Sequence, residues 1–285
     1  MLELNLSYIT SAIPCKACSG TVATFTIDLV RPKSSTPATT ESVDDYLKAI
    51  FELSGPEEQR VTSNALAGHL DIRAASVTGM LQKLASQRPS FVKYQKHHGV
   101  VLTEMGKRRA AEVLRHHRLL ERFLHDVLDF SWDEVHDEAE RLEHYISERL
   151  EDRIAAKLGD PDVDPHGHVI PQKDGMVAVR QEVALSKWPC GVPAVISSVS
   201  DRDPASLREM KRLGLTPGTG LFLDPGTRNA SLLVRIGGRP PCRLRRELAA
   251  EILVVREQPS DETGNVISDG AHITGGANRR GLRRD

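Results

Sequence analysis

The apolar period of this chain changes once, at GDPDVDPHGHVIPQKDG, residues 159–175. Before that break, apolar residues recur at the spacing of one helix face. From about residue 178 they come in short β-branched runs, VPAVISSVS, LFLDPG, SLLVRIGG and AEILVVRE, punctuated by Gly and Pro. A stretch patterned for one period does not settle into the other. The chain must therefore build a helical part and then a small β-barrel, with one short helix, PASLREMKRLG, inside the second part. The expected class is mainly α with a small β-barrel, and 285 residues leave room for two modest domains plus tails.

The ends carry less pattern. Residues 1–38 lack sustained periodicity and close on RPKSSTPATT, so a poorly ordered extension, or a product of an upstream start site, is expected there. Residues 258–285 are rich in Gly, Asp and Arg, and disorder is expected. Between them the pattern suggests units at 39–109, 110–172 and 178–257. Four cysteines make no disulfide framework in a chain this long, and a reducing cytoplasm is the expected location. The pair Cys15 and Cys18 has no second pair nearby to complete a zinc knuckle, and coincidence is the preferred reading. No apolar run has the length of a membrane span, and no signal peptide is evident.

A net charge of −1 requires that any DNA-binding charge be segregated by region. VDDYLKAIFEL predicts a helix with Val43, Tyr46, Leu47, Ile50 and Leu53 inward. VTSNALAGHLDIRAASVTGMLQKL, residues 61–84, predicts two helices around a tight turn at Asp71-Ile72-Arg73. Leu66, Ala67, Leu70, Ile72, Val77 and Leu81 fall where a helix-turn-helix needs apolar contacts. FVKYQKHHGVVLTEMGK then predicts a basic two-stranded wing around His97-His98-Gly99. The second helix offers Arg73, Ser76, Thr78, Gln82 and Lys83 to base edges and phosphates. The wing offers Lys93 and Lys96, with His97 and His98, and Lys107, Arg108 and Arg109 extend the positive face. DNA binding is preferred over the plainer reading, a small helical domain that touches no DNA.

Two further helices are expected, about 104–128 and 132–158. On the first, Val113, Leu120, Leu124 and Val127 make an inward stripe that includes His117, with Glu121 one turn on. On the second, WDEVHDEAERLEHYISERL, the stripe is Val135, Ala139, Leu142, Ile146 and Leu150, and His136, Glu140 and Glu143 each stand one step past it. Packed together, such helices would gather His117, Glu121 and His136 in one cluster and Glu140, Glu143 and His144 in another. Converging carboxylates are costly to bury, and a divalent cation removes that cost. Imidazole and carboxylate without thiolate suit Mn²⁺, Fe²⁺ or adventitious Zn²⁺. The competing reading is a salt-bridged exposed face with Arg141 and Arg149 as partners.

These segments together resemble the diphtheria toxin repressor or iron-dependent repressor family, and within it the manganese-responsive transport regulators. The resemblance covers about residues 40–256 and rests on TTESVDDYLKAIFEL, the helix-turn-helix, RHHRLLERFL, WDEVHDEAERLEHYISERL and DPHGHVIP. The β-rich part, with KRLGLTPGT, is similar to the SH3-like, FeoA-type third domain of longer members. It implies a homodimeric, metal-activated repressor with a winged helix-turn-helix, a helical dimerisation domain and two metal sites per subunit. By that resemblance Asp45, Glu140, Glu143 and His144 form the primary site, and His117, Glu121, His136 and Asp203 the ancillary one. Asp45 is assigned by resemblance alone, since periodicity puts it on the polar side of its helix. Lys48 stands where short manganese regulators have a further carboxylate, and SQRPSFVKY departs from the family's usual connection into the wing.

The function expected is repression of metal-homeostasis genes on Mn²⁺ binding, with Fe²⁺ as the alternative activator and a palindromic double-stranded operator as partner. No membrane partner and no small-molecule substrate are expected. Two rivals are a helical-bundle carboxylate metalloenzyme and a regulator whose acidic helices serve dimerisation alone.

Overall fold

A computed structural model describes residues 40–55, 57–225 and 231–257. The Cys15/Cys18 pair, the N-terminal extension and the tail from residue 258 lie outside the described residues. The first helices build a core of their own. Helix α1 (Glu41–Ser54) buries Val43, Tyr46, Leu47 and Ile50, while Leu53 faces solvent, contrary to its expected inward place. Helices α2 (Ser63–His69) and α3 (Ala74–Ser86) follow. Thr62 starts α2 by accepting a hydrogen bond from Ala65 N at 3.1 Å. Asp71 takes a positive φ of 50° in the turn between them, a conformation that Asp tolerates. That geometry turns Ile72 outward, so it is exposed rather than a helix-crossing contact.

Strands β1 (Val92–Gln95) and β2 (Gly99–Leu102) pair antiparallel around Lys96-His97-His98 and form the wing. The core they share with α1–α3 is closed by Val61, Leu66, Val77, Leu81, Leu84, Phe91 and Val100. Helix α4 (Glu104–Leu128) leaves the wing at once, capped by Thr103, whose hydroxyl accepts from Gly106 N at 3.2 Å. Gly106 is required by close approach. A Cβ there would stand 2.0 Å from the Phe91 carbonyl oxygen.

The expected helix over 132–158 is two helices, α5 (Val135–Leu142) and α6 (Glu148–Leu158). Ser147 explains the break. Its backbone is extended and its hydroxyl accepts from Leu150 N, which starts a new helix instead of continuing the old one. Val135 and Ala139 remain buried as expected, but Leu142 and Leu150 are exposed, and α6 buries Glu151, Ile154 and Ala155 instead. With Leu119, Leu120, Leu124 and Ile170 these make a second core. Val127, expected in the α4 stripe, lies exposed near that helix's end.

The C-terminal part is an antiparallel sheet of six strands, β3 (Val183–Ala184), β4 (Ala194–Val199), β5 (Gly220–Leu223), β6 (Ser231–Ile236), β7 (Cys242–Arg245) and β8 (Ile252–Arg256). Their order is β3-β8-β4-β5-β6-β7, curled as a half-barrel. Helix α7 (Pro204–Leu213) and the short α8 (Arg246–Ala250) join its core through Leu207, Met210, Leu248 and Ala249. One residue of the helical part enters the same core. Trp132 is buried there, donates from Nε1 to the Pro165 carbonyl at 3.0 Å, and stacks on His166 with ring centroids 5.5 Å apart.

Candidate metal centre and nucleic-acid surface

The end of α5 turns two side chains toward α1. Glu143 is fully buried, and His144 Nε2 lies 3.0 Å from Asp45 Oδ1 and 3.5 Å from Glu143 Oε1. Asp45, Glu143 and His144 each present a ligand atom within 4.8 Å of the others. The turn carrying them is fixed from behind by His116, whose Nδ1 lies 3.1 Å from the Glu143 carbonyl oxygen. Contacts with the Asp44 and Asp45 carboxylates push His144 up to about 10. Asp44 is itself held by Arg109, which meets both of its oxygens at 2.8 and 2.7 Å. Arg109 therefore turns inward, and is not part of the expected positive face.

Glu140 departs from the fourfold set that resemblance implied. Its Oε1 accepts from Lys48 Nζ at 2.7 Å, and Lys48 also donates to Glu143 Oε1 at 2.7 Å. The ligand atom of Glu140 groups with His117 and Glu143, not with Asp45 and His144. Burial disfavours the Lys48 ammonium, but the Glu143 and Glu140 carboxylates outweigh it and raise its pKa.

The second cluster gathers His117, Glu121 and His136 as their spacing predicts, and adds Asp201. His117 Nε2 lies 3.1 Å from Glu121 Oε1 and 3.2 Å from His136 Nδ1, which in turn lies 3.5 Å from Asp201 Oδ2. Burial pulls His117 down, yet the Glu121 carboxylate overcomes it and raises the imidazole to about 9. Burial also opposes charge on His136, but hydrogen bonds to Asp201 and Glu121 lift it to about 11. Asp203 does not reach this cluster. Its carboxylate caps α7, accepting from Ala205 N and Ser206 N at 3.1 Å each. The preference of Asp for the position before a helix, with Pro204 following, explains its capture. Asp201, two residues earlier, is the carboxylate delivered to the histidines, and the sequence reading passed over it.

The DPHGH turn brings a further group. Asp164 Oδ1 accepts from the backbone N–H of His166 at 2.8 Å and of His168 at 3.0 Å, folding both imidazoles over one loop. Gly167 permits it at φ 90°, because a Cβ would meet the Ser197 carbonyl oxygen at 2.1 Å. His166 Nδ1 reaches 3.7 Å from Glu121 Oε1. The motif was visible in the sequence, but nothing in its spacing showed that its histidines return to α4.

A divalent cation fits these groups. Glu121 Oε2 and His166 Nδ1 are buried with no hydrogen-bond partner among the described residues. Such orphaned donors and acceptors are costly, and the surrounding ligand atoms are all nitrogen and oxygen. A cleft of about 1290 Å³ is lined in part by Asp45, Lys48, His117, Glu140 and Asp201.

The residues expected to contact DNA lie on α3 and the wing. Arg73 precedes α3, and Ser76, Gln82 and Lys83 are exposed along it. Thr78 is half-buried, with its hydroxyl donating to the Ala74 carbonyl at 3.0 Å. Lys93 and Lys96 stand exposed on the wing. Lys107 is engaged by Glu58 at 2.5 Å and Glu104 at 3.0 Å.

Sequence profiles of three families match the chain. They are the iron-dependent repressor N-terminal DNA-binding domain over residues 38–100, the iron-dependent repressor metal-binding and dimerisation domain over 103–172, and the FeoA domain over 183–256. The iron-dependent repressor IdeR of Mycobacterium bovis is 29% identical over 231 residues, covering 75% of this chain and 96% of that protein. The HTH-type transcriptional regulator MntR of Oceanobacillus iheyensis is 35% identical over 115 residues, 40% of this chain and 76% of that protein. A solved manganese-dependent transcriptional repressor in complex with manganese is similar with a TM-score of 0.70 and 36% identity. The match covers 75% of this chain and 100% of that one.

Proposed function

This chain belongs to the iron-dependent repressor family of metal-dependent DNA-binding transcriptional repressors, and from that premise we propose that it is a cytoplasmic homodimer that reads a palindromic operator when Mn²⁺ is bound. The family consists of repressors, not enzymes, which removes the metalloenzyme reading. The observation that carries the proposal is the approach of Asp45, on α1 of the DNA-reading core, to Glu143 and His144 at the end of α5. Residues of two separate cores thus face one point.

Asp45, Glu143 and His144 would hold one cation; His117, Glu121, His136 and Asp201 would hold another. A bound cation supplies positive charge that offsets the carboxylates at each cluster. Everything else follows from the residues. Asp45 moves with α1, and α1 packs against the helices that carry the reading surface. Glu143 and His144 stay with α5, so their link to Asp45 fixes the reading core relative to α4–α6. In a homodimer, fixed cores present two copies of α3 at the separation of successive major-groove half-sites, about 34 Å. A cation held there would favour that arrangement, and operator DNA would then raise cation affinity by the same factor.

The donor set supports Mn²⁺ over Fe²⁺, because oxygen and imidazole suit the harder ion and no sulfur stands at either cluster. Fluorescence anisotropy with a labelled operator tests the reading. Mn²⁺ should tighten binding at least about tenfold over chelated protein, a coupling within the usual range. Equal affinity in both conditions would defeat it. Asp45→Cys, assayed with Mn²⁺ and Fe²⁺ in turn, should shift the preference toward iron if oxygen donors set it.

A further inference from the structure

Lys48 lies on α1, three residues past Asp45, and its side chain is only 9% exposed. Its Nζ donates to one oxygen of Glu140 and one oxygen of Glu143, both at 2.7 Å. The second oxygen of Glu143 faces His117 Nδ1 at 2.5 Å. His117, Glu140 and Glu143 otherwise present ligand atoms within 4.8 Å of one another, as a cation site does. The ammonium is placed against that very group. A buried ammonium is costly unless carboxylates pair with it, and two charged carboxylates side by side repel unless a positive charge lies between them.

We propose that Lys48 is a tethered cation: it occupies a metal position between Glu140 and Glu143 and latches α1 to α5 before any metal binds. This rests on the metal-dependent reading above, and adds a positioning residue to it. Three consequences follow. Glu140 is drawn to Lys48 and away from the Asp45, Glu143 and His144 group. The cluster around Glu143 takes one divalent cation fewer than its carboxylates would otherwise admit. The closed arrangement of the two cores is already populated without metal, since the latch joins the same two helices that a cation at Asp45 joins.

The test uses the full chain as wild type, Lys48→Gln, Lys48→Glu and Lys48→Arg. Two quantities are read: bound Mn²⁺ per subunit at saturation, by titration calorimetry with elemental analysis, and amide exchange in α1 of chelator-treated protein. Lys48→Glu should bind one more Mn²⁺ per subunit than wild type. Metal-free Lys48→Gln should exchange along α1 about tenfold faster, as expected when a local closing contact is lost. Lys48→Arg should keep wild-type behaviour in both. Equal stoichiometry in wild type and Lys48→Glu, or unchanged exchange in Lys48→Gln, overturns the proposal. If circular dichroism shows that Lys48→Gln does not fold, Glu140→Gln removes one of the two partners from the more exposed side. It must then speed α1 exchange, and no change overturns the latch. Failure of the regulatory reading looks different: wild-type operator affinity would ignore Mn²⁺ whatever the Lys48 variants do.

Discussion

Glu151 shows how much one buried carboxylate contributes away from the metal clusters. It meets Arg115 Nε at 2.5 Å and His116 Nε2 at 3.3 Å, and is 2% exposed. Burial pushes its carboxyl up, but the close approach of His116 and the hydrogen bond from Arg115 outweigh that and hold it below the ordinary value of 4.5. A group depressed in the folded state gives its full stability above the unfolded value and loses it as pH falls through the folded one. Urea unfolding should therefore show wild type losing stability as pH drops below 4.5, with a shallower loss in Glu151→Gln. At neutral pH that variant should be about 3 kcal/mol less stable, because a partly buried arginine loses its partner. Single residues also mark where sequence reading reached its limit. The spacing of His117 and Glu121 was enough to pair them, since one helix turn fixes which residues share a face, and His136 follows once α5 packs on α4. Asp201 and Lys48 join those groups from other elements, and no local period announces such an encounter. Asp203, assigned by resemblance alone, is instead held by the start of α7.

At the scale of elements, α1 through the wing were legible because each carried its own boundary signal, as did α4. The helix-turn-helix had its turn, the wing its glycine, and α4 its Thr103 cap. The break between α5 and α6 also had a signal, Ser147, but an apolar stripe running through it masked the cap. The packing of α4 on the wing makes a sharp prediction. Gly106→Ala must push the helix off the Phe91 carbonyl, and should cost about 2–3 kcal/mol in denaturant unfolding. The reading surface yields another. Lys83→Ala should weaken operator binding and lower the slope of log affinity against log salt by about one, the signature of a lost phosphate contact. Lys107→Ala should leave that slope unchanged, since Lys107 is already neutralised by Glu58 and Glu104. A drop in slope for Lys107→Ala of the same size would show that the positive face extends onto α4 after all.

At the scale of the molecule, the described residues form three hydrophobic cores tied by side chains that cross between them. Lys48 and Asp45 reach from the first to the second, and Asp201 reaches from the sheet part to the histidines of α4 and α5. The change of apolar period told how many kinds of architecture to expect, but not that they would share residues. Trp132 is the clearest case. It precedes α5 in sequence yet fills the core of the sheet, so Trp132→Ala should destabilise the protein by about 3–5 kcal/mol, measured by chemical unfolding. The same indole bears on anyone shortening the gene. A stop codon placed after residue 172 would strip away its apolar surroundings and leave a large greasy ring on the outside. The shortened product should then clump or recruit detergent, a fault easily mistaken for loss of the regulator's own chemistry.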